Sequence, residues 1–384
     1  MRPGAARLAE LVRHDRAAPV GVGVAFVLLF LLTSALAGWH HQRQRRFARD
    51  WSSRGEALLR AGRASEAAEA FENALVHGRD DPGRQYRLAA ALVAAGRDAR
   101  ARTYLLALWQ RRPGDGPVNL ELARLEARAG RLDEAIRYYQ HAVHGSWDTG
   151  DPLGARHRVR LELAEKLAEQ GSNARAEAEL ITLAAERPRG AEESVRLGEL
   201  LLRVGAPRRA RDLFRSALAA KPRHVAALSG AGRAAFAAGD YVSVRPYLER
   251  ALKERPDAED ARLLAVAQQV LASDPLRPRL SAAERGRRAG AAWRAALARL
   301  AACSVAPEGA PPPGAGPAAA ESLRLRLEDR RPPSGAALAR DPDLREEVME
   351  RVFEVETWAA RKCGEPQGVD LALTLLARRR AEAP

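Results

Sequence analysis

Two pairs of residues stand at spacings that could do chemistry. His141 and His144 lie one helical turn apart, which would set two imidazoles on one side of a helix for a divalent metal, but the sequence places no third ligand beside them. Cys303 and Cys363, the only cysteines, are too few for a four-thiolate zinc site. They leave two alternatives: a disulfide if the chain is exported, or two buried thiols acting as small apolar residues. A bridge would close a loop of about 60 residues and contribute about 4 kcal/mol in the chain-entropy model.

The signatures of common enzymes are missing. The eight histidines form no His-Glu-x-x-His, and neither a phosphate-binding loop nor a Gly-x-Ser-x-Gly turn occurs. Gly230-Ala231-Gly232-Arg233-Ala234-Ala235 matches a dinucleotide fingerprint in its letters, yet no strand precedes it. We therefore expect no enzyme: no catalytic residue, no metal and no cofactor.

Composition narrows the fold. With 384 residues the chain can build two or three units with their own cores, and 63 Lys+Arg against 49 Asp+Glu give a net charge of +14. The 46% hydrophobic fraction contains only 5% aromatics and is rich in Ala and Leu, which predicts helices and excludes an all-β architecture. Nearly all the basic residues are arginine, and they interleave with Glu in the manner of solvated i, i+4 pairs, so the charge makes only a weak case for nucleic acid.

From Val20 to Ala37 the chain carries no charge, and these 18 residues would extend about 27 Å as a helix. This predicts a transmembrane anchor over 18–39, after a basic tail at 1–17 and before a basic juxtamembrane stretch at 40–48. Ala35-Leu36-Ala37 would also serve as a signal-peptidase site. The long leader with Glu10 and Asp15 favours an uncleaved, single-pass inner-membrane segment; the flanking arginines leave its orientation nearly tied, and the signal-peptide resemblance with the even cysteine count points to a soluble part on the periplasmic side. Gly21 and Ala25 could let two anchors pack as a homodimer, and Arg43, Arg45, Arg46 and Arg49 could face anionic lipid.

The strongest signal is a repeat. Glycines stand at Gly62, Gly96, Gly130, Gly171, Gly205 and Gly239, spaced by 34 residues except for one interval of 41. Five residues after them come Ala67, Ala101, Ala135, Ala176, Ala210 and Val244, and nine after come Phe71, Leu105, Tyr139, Leu180, Phe214 and Leu248. Seventeen after, four of the six positions are Pro113, Pro188, Pro222 and Pro256. Small residues allow two helices to approach, the large apolar residue fills the gap to the next unit, and proline stops the second helix. The longer interval inserts Gly145 to Asp151, where Trp147 is either folded back as packing or exposed to a partner.

This pattern resembles the tetratricopeptide repeat, and Trp51, Gly55 and Leu58, like Leu197, Gly198 and Leu201, fit its first-helix positions. The resemblance covers 49–256 in six repeats. It implies an all-α solenoid of stacked helix-turn-helix units, followed by a degenerate repeat and capping helix at 257–304. Beyond these we expect a Pro/Gly/Ala linker at 305–320 and a small C-terminal helical unit at 321–384, in which Asp341-Pro342 starts a helix.

By family geometry the first helices line a concave groove that receives protein segments. The register puts Glu56, Tyr86, Leu120, Arg124, Arg128, Leu161 and Glu165 there, and then Val195, Glu199, Leu202, Arg203, Arg233 and Phe236. Carboxylate-clamp members use Lys and Asn at first-helix positions where this chain has Ser52 and Glu56, so a chaperone tail is not the expected ligand. The resemblance thus implies a non-catalytic, membrane-anchored scaffold for protein partners at the bacterial envelope. The alternative is an anion-binding adaptor for lipid head groups or nucleic acid.

Overall fold

The computed structural model describes the backbone of residues 4–78, 80–186, 190–304 and 333–382, with side chains at 25–303 and 333–382 within those stretches. Every named element among the described residues is an α-helix. The chain divides into two compact units, Met1–Lys166 and Leu167–Pro384, with the division falling inside one helix.

The first unit contains α1 (Gly4–Arg60), α2 (Ala64–Val76), α3 (Pro82–Ala94), α4 (Asp98–Arg111), α5 (Gly116–Arg128), α6 (Leu132–His144) and most of α7 (Pro152–Glu169). From α1 to α6 each helix packs on the next, and α3 also touches α5. Skipping one helix in this way is what stacked helical hairpins do. The turn glycines make the hairpins possible: Gly62, Gly96 and Gly130 have φ of 74°, 71° and 74°, a left-handed conformation that side-chain-bearing residues rarely adopt. Phe71, Leu88, Leu92, Leu105 and Leu122 are wholly buried in one apolar cluster that runs along this unit.

In the second unit lie α8 (Asn173–Ala185), α9 (Ala191–Arg203), α10 (Pro207–Ala220), α11 (Val225–Ala237), α12 (Tyr241–Glu254) and α13 (Ala258–Ser273). They follow the same rule, with α9 touching α11 and α11 touching α13. Pro222 and Pro256 stand just beyond the ends of α10 and α12, as Pro113 does beyond α4; Pro188 lies outside the described residues. After the repeats come α14 (Ala282–Ser304), α15 (Gly335–Arg340), α16 (Pro342–Lys362) and α17 (Gly368–Ala381). Trp293 of α14, Leu338 of α15, Val352 of α16 and Leu373 of α17 share one apolar cluster with Val244, Leu248 and Val270. These helices thus cover the apolar end that the last repeat would otherwise expose to water. The linker expected at 305–320 lies outside the described residues.

Cys303 and Cys363 are joined as a disulfide, with their Cα atoms 5.3 Å apart. The bridge ties the end of α14 to the residue that follows α16.

The membrane expectations need correction. Among the described residues no helix is long and apolar enough to cross a membrane. The apolar stretch is part of α1. The same helix then continues through Arg43, Arg45, Arg46 and Arg49 to Arg60. The transmembrane helix at 18–39, membrane contact through Val20 to Ala37, single-pass insertion and the inner-membrane location with its periplasmic side are therefore withdrawn. So is the membrane-anchored form of the scaffold. Gly21, half of the pair expected to pack two anchors, lies outside the residues whose surroundings are described.

Candidate functional site

The repeat columns fix which side chains are left for a partner. All six small residues five positions after the turn glycines are fully buried, and so are Phe71, Leu105, Tyr139, Leu180, Phe214 and Leu248 nine positions after. A further column stands seven residues before each turn glycine: Gly55, Ala89, Ala123, Ala164, Gly198 and Gly232. Its smallness has a steric cause. A Cβ on Gly55 would come within 2.8 Å of the Phe71 ring, one on Gly198 within 2.8 Å of Phe214, and one on Gly232 within 2.2 Å of Leu248.

In the first unit several of the candidate groove residues are bound to one another. The Arg124 guanidinium donates to both Glu162 oxygens, at 3.0 and 2.7 Å, and to Glu121 at 2.9 Å. The hydrogen bonds to Glu162 raise its pKa further, and the Tyr139 hydroxyl donates to the same carboxylate at 3.2 Å. Tyr86 is half-buried; desolvation, with the Glu121 charge, pushes its phenol up to about 12. Glu56 pairs with Arg87 at 3.3 Å, linking α1 to α3. Arg128 is turned towards α4, where it makes a bidentate pair with Asp98 at 3.1 and 3.0 Å. Leu161 is buried, Leu120 is half-buried, and Glu165 is partly buried with a partner of its own. These charges hold successive hairpins in register.

The second unit is more open. Arg233 is engaged, donating to Asp260 at 2.7 Å and lying 3.4 Å from Asp257 on the following first helix. Asp260 also accepts from the buried Ser229. Phe236 is half-buried with its ring edge-on to Tyr241 at 5.4 Å, and Val195 is buried. By contrast Glu199 and Arg203 are exposed on α9, one turn apart, with Leu202 half-buried beside them. Neither charge has a salt bridge among the described residues.

Other candidates are settled by position. Trp147 folds back: its Nε1 donates to the Ala142 carbonyl at 2.9 Å, and its ring occupies the space that a side chain on Gly116 would need. Ser52 is buried with its hydroxyl donating to the Ala48 carbonyl at 2.7 Å, so it offers nothing to a ligand. His141 and His144 are exposed at the end of α6.

The sequence had no means of showing the cluster around Arg299. This arginine is buried 3.6 Å from Glu356 and 3.2 Å from Asp370, and it donates to the Gly364 carbonyl at 3.3 Å, beside the disulfide. Its partners lie more than fifty positions away, and no spacing rule links them.

With the hairpins and their faces placed, comparison with known proteins is direct. Residues 52–117 and 195–259 match the tetratricopeptide repeat family model. The first segment falls in one unit and the second in the other. Tetratricopeptide-repeat proteins are typically non-catalytic scaffolds, which is consistent with the expectation of no enzyme. No curated protein matches it in sequence. Among solved structures it is similar to YrrB, a tetratricopeptide protein described with an unusual peptide-binding site, at 17% identity, over 51% of this chain and 97% of that one, with a TM-score of 0.43. It is also similar to the C-terminal part of a repeat protein from Cytophaga hutchinsonii, at 18% identity over 64% and 94% with a TM-score of 0.46. The type IV pilus biogenesis factor PilW matches at 17% identity over 57% and 98%, with a TM-score of 0.41.

Proposed function

We propose that the chain is a scaffold without catalysis that binds segments of partner proteins along the first-helix flanks of its tetratricopeptide repeats. The observation that carries this reading is the state of α9. Glu199 and Arg203 stand exposed, without salt bridges among the described residues, on the columns where Arg124 and Arg128 are locked into neighbouring helices, and Leu202 lies between them half-buried. An apolar anchor flanked by charges of both signs suits an amphipathic segment, the apolar contact giving affinity and the charges fixing register.

Recovery of partners by the full chain from its native cells tests the reading. Arg203→Glu and Glu199→Lys should each lose the same partners at unchanged folding, whereas Arg208→Glu, on the second helix α10, should keep them. Equal recovery by all three variants would count against the flank as the binding face. Arg124 and Arg128 are poorer positions for this test, because reversing either charge also breaks a bidentate pair inside the fold.

A further inference from the structure

A cleft of about 820 Å3 opens in the first unit between α1 and the turn from α2 to α3. Its walls are mainly basic. Arg45 and Arg49 enter from successive turns of α1 and Arg84 from the first turn of α3, with His41 and His77 beside them. Elsewhere in this chain arginines are routinely paired with carboxylates. Arg45 and Arg49 have no such partner among the described residues, and Arg49 donates only to the Arg45 carbonyl, at 3.3 Å.

Two acids also line the cleft, Asp80 and Asp81. Asp81 is already engaged: it caps α3 by accepting from the Arg84 backbone at 3.1 Å, and it lies 3.3 Å from the Arg84 guanidinium. Arg84 is held firmly, its side chain only 15% exposed. A Cβ on Gly78 would stand 2.2 Å from Arg84 Nη1, so the absence of a side chain at that position is what lets the guanidinium lie there. The His77 ring is fixed by a contact with Gln44 and by packing on Phe47 at 5.6 Å.

Arg84 is balanced by Asp81, but Arg45 and Arg49 bring two further guanidinium groups to the same opening with no carboxylate partner among the described residues, and an anion between them would relieve their mutual repulsion. Their planar donor forks match the oxygens of a phosphate, which can accept from several directions at once, better than the two coplanar oxygens of a carboxylate. We propose that this cleft binds a phosphate group, as the inorganic ion or as a phosphomonoester. This goes beyond the scaffold reading and does not depend on it.

Calorimetric titration of the full chain at low ionic strength tests the proposal, with inorganic phosphate in one arm and O-phosphoserine in the other. We expect saturable binding that weakens at least tenfold in the double variant Arg45→Gln/Arg49→Gln and is unchanged in Arg294→Gln, an exposed arginine of α14. Gly78→Ala, which only displaces the end of the flexible Arg84 side chain, should weaken binding severalfold with the helices intact. Tighter binding of phosphoserine would identify a phosphomonoester, and equal or tighter binding of phosphate the bare ion. The proposal is overturned if the wild-type chain binds neither at millimolar concentration, or if the double variant and Gly78→Ala bind as the wild type does. If the double variant fails to fold, Gly78→Ala alone decides.

Discussion

Phe214 shows how one residue sets the identity of others far along the chain. Its ring leaves no room for a Cβ on Gly198 of its own repeat, at 2.8 Å, or on Gly230 of the next, at 2.3 Å. Gly198→Ala gains about 1 kcal/mol of helix propensity, yet the overpacking it forces should leave the protein about 1–2 kcal/mol less stable in urea denaturation. Pairing it with Phe214→Leu should recover part of that loss. Glu356 supplies a second prediction at this scale. Burial, with repulsion from Asp370, pushes its carboxyl from 4.5 up to about 7 despite the nearby Arg299. The folded chain therefore holds a proton over a range in which the unfolded chain has released it. Its contribution is complete below about pH 4.5 and is lost as the pH rises through about 7, by about 3 kcal/mol in all. Urea denaturation at pH 4.5, 6 and 8 should show this decline in the wild type and a flatter profile in Glu356→Gln; parallel profiles would contradict it.

Between elements, fixed pairs of charges do what propensity cannot. The Arg124–Glu162 fork joins α5 to α7 across 38 positions. Both groups retain some exposure, so a double-mutant cycle should give a coupling of about 1 kcal/mol that shrinks with added salt. The disulfide acts at the other end, closing a separation of 60 residues between α14 and the end of α16. Cys303→Ser/Cys363→Ser should lower stability by up to about 4 kcal/mol in denaturant titration under oxidising conditions. The same scale explains what the sequence revealed. Turn glycines and the residues nine positions after them were legible because each answers a local need, a positive φ or a gap between hairpins, that recurs every repeat. Arg124, Arg128 and Arg233 were legible as first-helix positions, but their ion pairs were not, since the partners sit on other helices at no regular spacing. The shared core of α14 to α17 with the last repeats was hidden for a similar reason: Trp293, Val352 and Leu373 reveal a helix each, not which helix they meet.

At the scale of the molecule, the chain is two compact units of stacked helical hairpins, each containing a matched repeat segment. The apolar run after Val20 suggested an anchor because hydropathy along a sequence measures how apolar a stretch is; among the described residues no helix is long and apolar enough to cross a membrane. On the proposed reading, the chemistry of the protein is recognition. The most direct test replaces single residues with a photocrosslinking amino acid in the full chain in its native cells, at Glu199 and Leu202 on the first-helix flank and at Arg208 and Arg215 on the second helix of the same hairpin. Discrete adducts with the same partner from Glu199 and Leu202, and none from Arg208 or Arg215, are predicted. Adducts confined to the second-helix positions, or spread equally over all four, would contradict the account.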